Sequence, residues 1–345
     1  MTICFFGIYD KLYSRNRVIL KGLRENGIEV IECNERSAGF IKYFKLIFKY
    51  FKTKKDFDYL WVAFPGQFCV LLAKLLTKKK IIFDCFTSHF QGLVEDRQLV
   101  KKNSLKARLY FWLDRTACQL ANIVLLDTNE HIKYFTETFK LPKEKFIRLF
   151  VGSADQVFYP KAEAHNQIFT VHWHGHYIPL QGVQTIIEAA KILKDEQLIF
   201  NLIGQGQERT TCQKLAEDYR LKNLNFIDNV SYEKLAELQA RADVCLGIFG
   251  QTKKAQLVIP NKAYEALAMG KALITAKTPA SKELLTDQEN VLLVEPGQAD
   301  ELANKILILK NNNELRKKIG NNAYQLFISQ LTPKILINEF FKKLE

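Results

Sequence analysis

Apolar and polar positions along this chain follow two alternating rhythms. Short apolar runs read as buried strands. The stretches between them, apolar at every third or fourth position, read as helices with one covered face. In the first half the strand runs are Thr2–Phe6, Glu29–Cys33, Tyr59–Ala63, Lys80–Asp84 and Ile123–Asp127. Helices are expected over Ser14–Asn26, where Gly27 supplies a stop, then about Phe40–Lys54, Gly66–Leu76 and Ser104–Ala121. The rhythm lapses at Val151–Pro160, a turn-rich connector, and then restarts. Strands Phe169–His174, Leu198–Ile203, Leu224–Ile227, Val244–Ile248, Ala272–Thr275 and Val291–Val294 follow. They alternate with helices Gly182–Lys194, Thr210–Tyr219, Tyr232–Arg241, one opening at Pro260, Ser281–Leu285, Ala299–Asn311 and Asn313–Leu326.

Such alternation predicts an α/β chain built on parallel sheets with helices on both faces. At 345 residues the chain is too long for one ordinary core. Two doubly wound, Rossmann-like domains are expected over 1–152 and 153–326, facing across a ligand cleft at their strand ends. A C-terminal helix within 327–345 is expected to pack back on the first domain.

Composition narrows the class. With 48% apolar and 25% charged residues, 8 prolines and 16 glycines, the chain is globular and not disordered. Seven scattered cysteines, with no close pair, suggest buried thiols in a reducing compartment. Met1–Gly7 lacks the basic start and the length of a leader, and no apolar run reaches a membrane span. A cytoplasmic location follows as the expectation. The net charge of +13 is uneven: Met1–Phe150 holds 27 Lys/Arg against 15 Asp/Glu, and the remainder 23 against 22. The first half is therefore expected to face something anionic.

The densest chemistry lies in Pro260–Thr275. Pro260 suits a helix start, and the free amides with the helix dipole favour an anion there. Lys262 and Glu265 share one helical face, Gly270 caps the end, and Ala272–Thr275 is a strand. A cation and an acid at one helix start suit a nucleotide diphosphate and its ribose. A capped core helix with a surface Lys262–Glu265 pair fits the same residues.

The second half resembles the GT-B glycosyltransferases, specifically the retaining family 4. The likeness rests on an ordered set of segments: Gly175–Gly182, Leu202–Gly206, Ala242–Leu246, Tyr264–Ala268, Asn290–Val294 and Asp300–Ala303, preceded by the connector Val151–Pro160. It covers Val151–Phe327 well and the first half in outline. It implies a nucleotide-sugar donor domain in the second half and an acceptor domain in the first. Glu265 matches the family glutamate that holds the ribose hydroxyls. Leu257 stands where the family has a second glutamate, eight positions earlier, that touches the donor sugar. His176 and Gln181 replace the family's cations on the first strand-exit loop; His176 is still expected to face phosphate, with Lys262 and the amides at Asn261 left to meet more of the diphosphate charge.

Further candidates are weaker. Gly204 and Gly206 form a GxG turn that suits either a phosphate or a tight strand-to-helix bend. Gly7 ends the first strand, and Arg15 opens the first helix, where an anion or acceptor could approach. Asp84 and His89 occupy one strand-exit loop, with Ser88 between them. The resemblance implies that a polar residue or histidine of this loop meets the donor sugar, as catalytic neighbour to Lys262. His172, His174 and His176 alternate, so a strand would place them on one face. No metal site is expected from them, because no Cys or Asp completes a set. In Phe40–Lys55, Lys42, Lys45, Lys49 and Lys52 line one helical face beside Ile41, Phe44, Ile47, Phe48 and Phe51. That composition suits an anionic membrane surface; a sheet-packing helix with a solvated lysine face is the other reading. Nucleic acid is not an expected partner.

The expectation is a retaining glycosyltransferase at the cytoplasmic membrane face. It would use a UDP- or GDP-linked sugar and a glycan or polyprenyl-lipid-linked acceptor, with no cofactor required. Two rivals share the fold: a nucleotide-sugar 2-epimerase, for which Asp84 is the only good acid–base candidate, and a non-catalytic partner subunit, suggested by Leu257, His176 and Gln181.

Overall fold

The computed structural model describes residues 1–53, 56–161 and 167–344. It divides into two compact units, Met1–Gly152 with Thr332–Glu345, and Ser153–Leu331.

The first unit is built on six parallel strands: β1 (Thr2–Gly7), β2 (Glu29–Asn34), β3 (Tyr59–Val62), β4 (Lys80–Asp84), β5 (Ile123–Leu126) and β6 (Phe146–Arg148), in the order β2-β1-β3-β4-β5-β6. Helices α1 (Ser14–Glu25), α2 (Ile41–Lys52), α3 (Gln67–Leu76), α4 (Leu105–Leu120) and α5 (Asn129–Phe139) connect them. Ile3, Cys4, Phe5 and Phe6 of β1 are all fully buried, which is why this strand is an unbroken apolar run: a parallel strand is covered on both faces. α5 and β6 were not foreseen. Asn129–Phe139 buries His131, Ile132, Tyr134, Phe135 and Phe139, a stripe whose polar and aromatic members mask its period. A π-helical segment, Phe90–Asp96, follows the β4 loop.

The second unit repeats the plan with β7 (Phe169–His174), β8 (Leu198–Ile203), β9 (Leu224–Ile227), β10 (Val244–Leu246), β11 (Ala272–Ala276) and β12 (Leu292–Val294), all parallel, in the order β12-β11-β10-β7-β8-β9. Its helices are α6 (Val183–Ile192), α7 (Arg209–Asp218), α8 (Tyr232–Ala240), α9 (Asn261–Ala268), α10 (Ala299–Asn311) and α11 (Asn313–Gln330). Ser281–Glu283 is a single 3-10 turn and not the expected helix. Its serine closes a reciprocal loop with Thr278, an arrangement that competes with helix. The core joins Trp173, Tyr177 and Phe200 to Ile274, Val294 and Ile306.

The chain then returns to the first unit as α12 (Pro333–Lys342), which packs along α1. Gly22 of α1 allows this approach: a Cβ there would overlap the Pro333 carbonyl. The strand order turns between β1 and β3 in the first unit and between β7 and β10 in the second. Ligands bind at such switch points, beyond the strand C-termini.

Candidate functional site

In the second unit the switch point gathers the ends of β7 and β10 with the start of α9. The N-cap residue of α9, Pro260, makes no side-chain cap, so the first-turn amides keep the electropositive end that the sequence suggested. Lys262 and Glu265 are both buried, and each finds its partner on another element. The surface-pair reading therefore fails. The Lys262 ammonium donates to Oε1 of Gln181 and lies 4.8 Å from the centre of the Trp173 ring. Burial pulls its pKa down to about 7, against the opposing pull of Glu265. The Glu265 carboxylate meets Nε2 of His174 at 2.8 Å, and the Tyr232 hydroxyl donates to its other oxygen at 3.3 Å.

β7 supplies the histidines by strand alternation. His172 and His174 share a face, with Nε2 of His172 2.9 Å from Nδ1 of His174. His176 does not join them. The strand ends at His174, Gly175 turns at φ 152°, and His176 is exposed. Gly175 is itself constrained by the site, since a Cβ would stand 3.0 Å from the Lys262 ammonium.

The glycine pair has a local explanation. Gly204 and Gly206 both have positive φ, and they press against the backbone of the β7 exit loop. A Cβ on Gly204 would overlap the Gly175 carbonyl, and one on Gly206 would lie 2.5 Å from the Tyr177 backbone. Tyr177 N–H donates to Gln205 O at 3.0 Å, and Glu208 N–H donates to Tyr177 O at 3.0 Å. The turn thus locks two exit loops together.

In the first unit, Arg15 and Asp84 are fully buried and occupied with each other. Arg15 donates from Nη2 to Asp84 Oδ1 at 2.9 Å and from Nε at 3.1 Å. Its Nη1 donates to the carbonyls of Leu149 and Phe150 at 2.8 and 3.1 Å. The expectation that Arg15 meets a phosphate and Asp84 a donor sugar gives way here, because this guanidinium pairs with that carboxylate away from solvent. Burial raises the pKa of Asp84, and Arg15 opposes the shift. Gly7, at φ 147°, ends β1, with Tyr9 and Ala63 as the nearest neighbours a Cβ there would meet. His89 lines a cavity of about 140 Å³ together with Ile8, Lys42, Tyr43, Gln67 and Phe68. Its ring stacks on Tyr110, and Nδ1 is 3.5 Å from Asp114. Asp114 also accepts from Ser88 Oγ at 2.6 Å, so the loop is pinned from α4, a partner that motif spacing did not reveal.

α2 carries three lengthwise strips. Leu46 is buried; Lys45, Lys49 and Lys52 are exposed; and Phe40, Ile41, Phe44, Phe48 and Phe51 face solvent. Lys54 and Lys55 of the expected basic segment lie outside the described residues. No helix among the described residues is long and apolar enough to cross a membrane.

Comparison with known proteins follows this geometry. Residues 155–326 match the family model "Glycosyl transferases group 1". An uncharacterized glycosyltransferase of Methanocaldococcus jannaschii, MJ1178, is 26% identical over 76% of this chain and 67% of its own length. Five further curated relatives are matched over 32% to 48% of their own length. Among solved structures, sucrose-phosphate synthase from Thermosynechococcus elongatus superposes with a TM-score of 0.76 at 15% identity, covering 100% of this chain and 99% of that one. Anabaena HepE, solved in complex with UDP-glucose, gives 0.72 at 15% over the same shares. These two likenesses are likenesses of fold.

Proposed function

We propose, from the premise that this chain belongs to the GT-B glycosyltransferases through its group 1 domain, that it moves a sugar from a nucleotide diphosphate donor to a glycan or polyprenyl-lipid-linked acceptor at the cytoplasmic membrane face. The observation that carries the reading is the cation and carboxylate together at the uncapped start of α9, beside the switch point. Glu265 would accept from the ribose hydroxyls. Lys262 and the α9 amides would stabilise charge on the departing diphosphate, which is where electrostatic catalysis acts when no covalent nucleophile is supplied. The reaction would retain the anomeric configuration and require no cofactor. UDP is the first nucleotide to test, since HepE was solved with UDP and with UDP-glucose.

The first unit would take the acceptor. Its excess of basic residues, the cavity at His89 and the exposed aromatic strip of α2 support an acceptor held near an anionic bilayer. The 2-epimerase alternative loses its support, because Asp84 is enclosed with Arg15. A thermal-shift screen against UDP, GDP, ADP and CMP tests the donor site. One nucleotide should raise the melting temperature by several degrees, and Lys262→Ala and Glu265→Ala should each abolish the rise. A chain indifferent to all four would be a non-catalytic partner.

A further inference from the structure

Three side chains on two elements form one buried line in the second unit. His172 Nε2 lies 2.9 Å from His174 Nδ1, and His174 Nε2 lies 2.8 Å from Glu265 Oε2. Nothing in the nucleotide reading requires two histidines behind the acid. We propose that His172 and His174 are positioning residues: a one-way hydrogen-bond relay, His172 to His174 to Glu265, that fixes the carboxylate in the orientation that receives the nucleotide's ribose. The relay rests on the reading of Glu265 as the ribose acceptor.

The direction of the relay follows from a polar atom at its far end. Nδ1 of His172 is buried and has no hydrogen-bond partner among the described residues. A carboxylate oxygen accepts, so His174 presents N–H at Nε2. Suppose His174 also carried a proton on Nδ1. Then His172 Nε2 would have to accept, and a neutral His172 would hold its own proton on Nδ1, a buried donor with no acceptor. Orphaned buried N–H groups are rare because they forfeit a full hydrogen bond. The opposite arrangement leaves only a bare lone pair there: His172 donates from Nε2 to His174 Nδ1, and His174 donates from Nε2 to Glu265. Both rings are neutral, and each is in the Nε2–H tautomer. Burial holds His172 in the neutral form, and the charges of Lys262 and Lys271 reinforce this.

The geometry also explains why two rings are used. The second oxygen of Glu265 accepts from Tyr232 on α8. The carboxylate is thus held from both ends, and its remaining lone pairs are the ones that would receive a vicinal diol. A ring locked by a second hydrogen bond cannot rotate or change tautomer, so the acid behind it keeps one orientation.

Nitrogen-15 NMR of histidine-labelled full-length protein tests the relay directly. The expected result at pH 8 is Nε2–H with an unprotonated Nδ1 at both His172 and His174. Detection of Nδ1–H or of an imidazolium at His174 would overturn it. Calorimetry with UDP supplies the second arm. His174→Phe should weaken binding about tenfold or more, whereas His174→Gln, whose amide can donate to Glu265, should stay within about threefold of wild type. His172→Phe should weaken UDP about fivefold and produce mixed tautomers at His174. Wild-type affinity in both phenylalanine variants would sink the relay. Glu265→Ala separates the two ideas. Unchanged UDP binding in that variant refutes the ribose reading and the relay's purpose together, while loss there with normal His174→Phe refutes the relay alone. If wild type fails to bind UDP, the nucleotide that raises the melting temperature takes its place; if none of UDP, GDP, ADP and CMP binds, the ribose reading falls and the tautomers alone decide the relay.

Discussion

The Lys262 ammonium donates to the side-chain oxygen of Gln181, 81 positions earlier, at the place where the resemblance to family 4 implies a cation. The substitution is therefore more than a loss of charge. A neutral acceptor at Gln181 gives Lys262 a partner, and the Trp173 face lies 4.8 Å away. Buried in this way, Lys262 is poised near neutrality, with a pKa of about 7.

Stability of the second unit should therefore depend on pH in a defined direction. The unfolded lysine keeps its proton to about pH 10.4, while the folded one releases it near 7. Between these values the unfolded state binds more protons, so stability rises with pH, and the cost of burying the charge is fully present below about 7. The slope is at most about 1.4 kcal/mol per pH unit. Urea melts from pH 7 to 10 should show this rise in wild type and a flatter profile in Lys262→Met.

A bound diphosphate should reverse the shift. Placing an anion beside Lys262 favours its charged form, so UDP binding at pH 8 should take up as much as about one proton. Calorimetry in buffers of different ionisation enthalpy reads this number. Uptake that persists in Lys262→Gln would mean that another group is the proton acceptor.

Arg15 and Asp84 should act on folding before they act on catalysis. Removing one member leaves a buried charge without its partner, and Asp84→Ala should cost about 3–5 kcal/mol. The double variant Arg15→Met/Asp84→Leu should recover much of that loss. Denaturant midpoints of the three proteins decide the matter, and an Asp84→Ala protein of wild-type stability would contradict the assignment.

Gly204 answers a different demand. Alanine there would drive a Cβ into the Gly175 carbonyl at a φ of 135°. We expect Gly204→Ala to destabilise the second unit by roughly 2 kcal/mol or more and to weaken UDP binding through the displaced loop. Gly270→Ala is the comparison: its Cβ meets nothing closer than 3.6 Å, so only the strain of φ 64° applies. Similar melting temperatures for the two variants would count against a close-approach role.

The α2 strip predicts membrane behaviour. Phe44→Ser/Phe48→Ser/Phe51→Ser should leave the melting temperature within about two degrees, because all three rings face solvent. Binding to vesicles containing anionic phospholipid should fall at least about tenfold. A triple variant that sediments with such vesicles as wild type does would show that α2 is not the contact.

Periodicity by itself determined the architecture: β8 and β9 were legible with their observed bounds, Leu198–Ile203 and Leu224–Ile227. Both are short apolar runs flanked by polar turns, a property of neighbouring residues that needs no tertiary context. The alternation of such runs with amphipathic helices was enough to predict two doubly wound sheets. α5 and β6 escaped because the buried face of α5 includes His131 and Tyr134, and because β6 has only three residues. The site needed the fold. Lys262 and Glu265 are three residues apart and invite pairing. Tertiary packing instead brought each a partner from the β7 region, 81 and 91 positions away. Arg15 and Asp84 looked equally available to a ligand until α1 and β4 closed them on each other across 69 positions. Burial is the physical reason in both cases. A charged group leaves water only if another group meets it, and which group lies within reach is set by strand order, not by distance along the chain.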